Sequence, residues 1–166
     1  MNEQGPTGDR DTDAANLVEQ YKLYVQMADK ISDRRADANK FFISLLTGLL
    51  ALLSAIVQFR GGEALQQAIL LIVGVVGILL CYTWYITIRS YRQLNSGKFK
   101  VVHLVEKQLP FSFYDVEWDF LGRGENPKLY IPLTHVEQYI PKLFGILYAI
   151  LLAAGMYLLI VPFLLS

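Results

Sequence analysis

Three long apolar blocks alternate with polar and amphipathic chain. FFISLLTGLLALLSAIVQF (41–59), ALQQAILLIVGVVGILLCYTWYITI (64–88) and LFGILYAILLAAGMYLLIVPFLL (143–165) contain no Asp, Glu, Lys, Arg or His. At ~1.5 Å per residue the first block reaches about 28 Å as a helix, close to the thickness of a bilayer's hydrocarbon core. The other two are longer and can span with tilt. The pattern predicts an all-α integral membrane protein with three transmembrane helices, a long N-terminal cytoplasmic helix and a small helical cytoplasmic segment.

The polar parts have patterns of their own. Residues 1–12, MNEQGPTGDRDT, read as a disordered tail, rich in charge with Gly and Pro. From Asp13 to Asn39 the positions Leu17, Val18, Tyr21, Tyr24, Val25, Ala28 and Ile31 recur at helical spacing, opposite Glu19, Lys22, Asp29, Lys30 and Asp33. Residues 13–40 are therefore expected as an amphipathic helix running into the first span, since no Gly or Pro intervenes. Its apolar stripe needs cover from another subunit, from residues 89–142 or from the membrane surface.

Residues 89–142 are expected to fold as short helices. Asn95 or Ser96 can cap one that ends at Pro110, and YDVEWDFLG can form two turns stopped by Gly122 and Gly124. Thr134 and Glu137 have capping-box spacing, and Pro141 either kinks the following helix or restarts it as the third span.

Charge gives orientation. Lys30, Arg34, Arg35 and Lys40 precede the first span, and the link to the second carries only Arg60. Arg89, Arg92, Lys98, Lys100, Lys107, Arg123, Lys128 and Lys142 lie between the second and third spans, with no basic residue after the third. The positive-inside rule then places the N-terminus and residues 89–142 in the cytoplasm and the C-terminus outside. Tyr82, Trp84 and Tyr85 sit where an aromatic belt would meet the cytoplasmic interface. Residues 1–40 hold no apolar core of a signal peptide, so no cleaved leader is expected.

Composition narrows the function classes. Of 166 residues 54% are hydrophobic and 18% charged, and 15 basic residues cancel 15 acidic ones, leaving no global field for nucleic acid. Cys81 is the single cysteine, so no disulfide framework or cysteine-rich zinc site can form within the chain. Spans free of ionisable residues argue against a proton relay, a coupled transporter or a voltage sensor.

Candidate functional positions are few. Ser44, Thr47, Ala51, Ser54 and Gln58 recur at steps of three and four on the first span, with Leu45, Leu49, Leu50, Leu52, Leu53 and Val57 around them. Toward the cytoplasm the stripe continues through Lys40, Asp37, Asp33, Lys30 and Gln26. Two readings stay open. Small and hydroxylated residues let membrane helices pack closely, and the same stripe in a ring of subunits would line a watery axis with charged rings at its cytoplasmic mouth. Gly74 and Gly77 on the second span, and Gly145, Ala149 and Ala153 on the third, read as helix-packing positions.

Catalytic signals are weak. His103 and His135 stand singly, without a second ligand at metal spacing. Asp115 and Asp119 would share a helix face, able to hold a divalent cation or to pair with Arg123 or Lys128. GRGENPK reads as a Gly/Pro turn rather than a phosphate loop. No catalytic set, cofactor or metal is expected, and the protein is read as a non-enzyme. A minor reading has Asp115, Asp119 and a histidine act in a membrane enzyme.

The strings YKLYVQMADKISDRRADANKFF, RSYRQLNSGKFKVVHLVEKQLP and YDVEWDFLGRGENPKLYIPLTHVEQYIP resemble the RipA family of small octameric bacterial membrane proteins, over about residues 17–165. The resemblance implies a homo-oligomeric inner-membrane protein, an octamer. More loosely, a charged helix with ISDRRADAN feeding into a span is similar to the two-span SLATT effector domains, from which this chain departs by its third span and intervening segment. The functional expectation is a ring-like, pore or channel-like homo-oligomer in contact with membrane lipids. The alternative is a non-conducting scaffold or receptor whose cytoplasmic crown recruits an unidentified protein or ligand.

Overall fold

The structure, a computed structural model, describes residues 7–58 and 62–165. Five α-helices follow one another: α1 (Thr7–Gln58), α2 (Glu63–Glu106), α3 (Phe113–Phe120), α4 (Leu133–Glu137) and α5 (Tyr139–Leu165), with a 3₁₀ turn at Gly122–Gly124. No strand occurs among the described residues. The fold is all-α, and α1, α2 and α5 are long and apolar enough to cross a membrane.

Several helix boundaries differ from expectation. Residues 7–12, assigned above to the tail, are the first turns of α1. No proline follows Pro6 before Pro110, so nothing in the chain stops the helix from growing back to Thr7. Residues 1–6 lie outside the described residues, as do 59–61, where the first span was to end. The start expected at Asn95 or Ser96 does not exist: α2 passes through Asn95, Ser96 and Gly97 unbroken. One interior glycine costs about 1 kcal/mol of helix stability, too little to break a helix packed along its length. Glu137 lies at the C-terminal end of α4 rather than three residues into a helix capped by Thr134, because α4 already starts at Leu133. Pro141 falls in the first turn of α5, where its missing N–H costs nothing, so it restarts the helix rather than kinking it.

The chain forms two compact units, Met1–Arg34 with Tyr91–Pro132 and Arg35–Ser90 with Leu133–Ser166. The second unit holds the core of the membrane helices, with Phe42, Leu46 and Leu53 of α1 against Val73, Cys81, Trp84 and Ile88 of α2 and Tyr148 of α5. Lipid tails are as apolar as leucine, so these helices gain little by leaving lipid; shape and internal hydrogen bonds hold them. Tyr148 supplies both. Its ring lies on Gly77, where a Cβ would overlap it, and its hydroxyl donates to the Leu46 carbonyl at 2.7 Å. Gly74 gives α2 the same close approach to Leu152, whose Cβ would stand 2.8 Å from an added methyl.

Trp84 corrects the aromatic belt. It is fully buried, stacks on Phe42 with centroids 5.7 Å apart, and donates its indole N–H to Asn39 Oδ1 at 2.8 Å. A buried indole needs an acceptor, and Asn39 provides one from α1. Tyr82 is exposed, and the Lys142 ammonium stands 5.6 Å over the Tyr85 ring.

Candidate functional site

The polar stripe of α1 is best taken unit by unit. In the second unit Ser44, Thr47, Ala51, Ser54 and Gln58 are all exposed, while Phe42, Leu46 and Leu53 on the other side of the helix are buried. The leucines around the stripe divide: Leu45 and Leu52 are exposed, and Leu49 and Leu50 pack against the core. The Thr47 hydroxyl donates to the Ile43 carbonyl at 2.7 Å, and that of Ser54 to the Leu50 carbonyl at 3.0 Å. These hydroxyl protons are thus satisfied inside their own helix. Nearer the N-terminus of this stretch, Asp37 and Lys40 are exposed and paired with each other at 3.1 Å. In the first unit Lys30 and Asp33 are also exposed.

The packing positions separate as well. Gly74 and Gly77 take Leu152 and Tyr148, and Gly145 faces Cys81, whose Cβ would be 3.8 Å from an added methyl. Ala149 and Ala153 are exposed on the chain, so a helix contact there would be one between chains. The close-packed small residue that the spacing missed is Gly155, where an added methyl would stand 3.2 Å from the Leu70 and Leu71 side chains. Its signal was its step of seven from Tyr148, the residue that faces Gly77.

The first unit is organised around a residue that sequence reasoning did not single out. Glu106, at the end of α2, is 1% exposed. One carboxylate oxygen accepts from the Tyr21 hydroxyl at 2.8 Å and from the Tyr114 amide at 2.9 Å; the other accepts from the Asp115 amide at 3.3 Å. Tyr114 and Asp115 are the second and third residues of α3, whose N-terminal amides have no partner within the helix. Ser112 stands at the cap position but makes no side-chain cap; its hydroxyl lies 3.4 Å from the Glu106 carbonyl instead. Glu106 therefore caps α3 from another helix, where its charge also meets the positive end of the α3 dipole. Burial, then the bond to Glu106, pushes the Tyr21 phenol well above its usual pKa. Burial also raises Tyr114, with Asp29 and Glu117 adding to it. A sequence signal existed: Glu106 stands one turn after Val102, a buried apolar residue of the same helix face.

Around this hub the titratable residues noted from sequence are placed. His103 Nδ1 lies 3.6 Å from Glu106 and 3.9 Å from Asp115, too far for a hydrogen bond. Arg123 reaches Asp119 at 2.6 Å and Asp115 at 3.5 Å, so the acidic pair is engaged by a guanidinium. Arg123 holds a left-handed φ of 51° between Gly122 and Gly124, which also have positive φ and end α3 as the glycine spacing predicts. Among the described residues no group of three His, Cys, Asp or Glu side chains could hold a metal ion. The side chains of His135 and Thr134 lie outside the described residues.

In the second unit Arg35 and Glu137 form an ion pair at 3.2 Å with each side chain 13% exposed, fastening α1 to α4. The Lys142 ammonium rests over Tyr85 and, at 5.2 Å, over Tyr139.

Comparison with known families gives one finding: the sequence model of the octameric membrane protein family (8xMP) matches residues 18–157. No curated protein and no solved structure matches the chain.

Proposed function

The chain belongs to the octameric membrane protein family, and from that membership we propose that its copies close a ring in the bacterial inner membrane whose axis is lined by the polar stripe of α1 and is pore-like. The reading rests on one observation. Ser44, Thr47, Ala51, Ser54 and Gln58 are turned away from the helices of their own chain, on a segment whose opposite face is buried. A polar stripe facing lipid gains nothing there, whereas at a ring axis it meets water or its symmetry mates. The basic residues that flank the spans put the N-terminus and residues 89–142 on the cytoplasmic side, so Lys30, Asp33, Asp37 and Lys40 stand at the cytoplasmic mouth.

A second reading has its own support. Because the Thr47 and Ser54 hydroxyl protons are satisfied within α1, the stripe can also close as a dry seam. The assembly would then be a non-conducting scaffold or receptor that recruits a cytoplasmic partner through its crown.

Reconstitution in planar bilayers separates the two. Under the pore reading, octamers conduct, and Thr47→Leu with Ser54→Leu changes the unit conductance; unchanged conductance in the double variant contradicts it. Octamers that stay electrically silent favour the scaffold.

A further inference from the structure

The first unit carries an inside-out helix. On α3 the residues Phe113, Val116 and Phe120 share one face at steps of three and four, and Phe113 and Phe120 are 66% and 80% exposed. The inward face is held by aromatic contacts: Tyr114 meets Phe99 at 5.5 Å and Trp118 meets Tyr130 at 6.3 Å. Large phenylalanines in a charged segment outside the spans require a partner. The same unit also has an apolar groove between α1 and α2, lined chiefly by Leu17, Tyr21, Tyr24, Val101 and Val105. Charge tells the two surfaces apart. Asp115, Glu117 and Asp119 lie on α3, with Arg123 closing on the first and the last, whereas α2 beside the groove carries Lys98 and Lys100, followed by Lys107 just past its end, with the Lys98 ammonium 4.6 Å over the Tyr24 ring.

We infer that the Phe113–Phe120 edge of α3 in one copy seats in the α1–α2 groove of the next copy, with its acidic flank against the basic one. The occupant is a second copy of this chain. Three carboxylates against the single Arg123 leave this edge net negative, which anionic headgroups repel, and this disfavours a membrane surface as the partner. Knob and groove are different surfaces, so the contact runs head to tail and can close a ring, whereas a self-complementary contact would stop at a dimer. This rests on the ring proposed above and assigns its cytoplasmic contact.

The test uses the full chain in detergent, with Cys81→Ala as background and Phe120→Cys, Val101→Cys or both added, followed by mild oxidation. The double variant should give a ladder of cross-linked oligomers, and neither single variant should. Intact octamers by native mass spectrometry with no ladder overturn the contact and leave the ring standing. Cross-linking of the Phe120→Cys variant with itself overturns it too. Particles of another size in the Cys81→Ala background contradict the ring itself. Because cysteine could disturb the unit, Phe120→Asp is compared with Phe120→Leu: at unchanged helical content the octamer should be lost in the first and kept in the second. Quenching of a Phe120→Trp variant by brominated lipid would place the edge in the membrane and overturn the proposal.

Discussion

Glu106 in the first unit and Tyr148 in the second are both buried polar residues that join helices, and they use different chemistry. Glu106 is a carboxylate that gathers a phenol and two helix amides. Tyr148 brings a large apolar ring and a single hydroxyl, satisfied by one carbonyl of α1. A charge is tolerable where several donors converge on it and water is near. Within a span it is costly, so the apolar blocks of the second unit are joined through neutral hydrogen bonds and glycine contacts, and its Arg35–Glu137 ion pair lies outside those blocks. The comparison extends to the surfaces. Exposed Ile72, Leu79 and Ile150 suit lipid, whereas equally exposed Phe113 and Phe120 in the charged unit call for protein.

The contrast predicts an order of effects. Glu106→Ala should be the most damaging change, because it strips the cap from α3 and leaves the Tyr21 hydroxyl and the Tyr114 amide unpaired. Each buried unpaired group costs about 1–3 kcal/mol. Hydrogen exchange should rise across residues 91–132 and stay near wild type across 64–88. Equal loosening of both would erase the distinction between the units. Gly77→Ala comes next, since its methyl would overlap the Tyr148 ring; overpacking of this kind costs about 1–3 kcal/mol, read as a lower unfolding temperature in detergent. Tyr148→Phe keeps the ring and loses one hydrogen bond, a change of about 1 kcal/mol in the same assay.

Alkaline pH gives the mildest test. The Tyr21 pKa is raised above its ordinary value of 10.0, so its stabilising contribution is complete below about pH 10 and fades as pH rises toward the folded-state value. Proteolysis of the first unit should therefore increase above about pH 10. Tyr21→Phe should reduce that dependence, and an identical alkaline profile would show that another group is responsible.

Much of this was legible in the sequence. Charge-free apolar blocks predict the three spans, and Gly122 marks the end of α3, because hydropathy and left-handed glycine are local signals. Trp84 is not legible in this way, because a position near the end of an apolar block looks the same whether the indole faces headgroups or Asn39. Asn95–Ser96–Gly97 resembled a helix start because local propensity says nothing of the packing that carries α2 through. Glu106 escaped notice because its donors come from Tyr21 and from the start of α3, which no local pattern brings together. The stripe itself was visible, and its exposure on the single chain is the property that the spacing could not supply.

The most direct test of the axis is water access. In a Cys81→Ala background, single cysteines at Thr47 and Ser54 are compared with one at Ile150, an exposed position on α5, using a membrane-impermeant thiol reagent on native membranes. A water-lined axis predicts labelling at 47 and 54 and none at 150. Protection of both stripe positions in octamers that reconstitution finds electrically silent would contradict it and leave α1 as a dry seam between subunits.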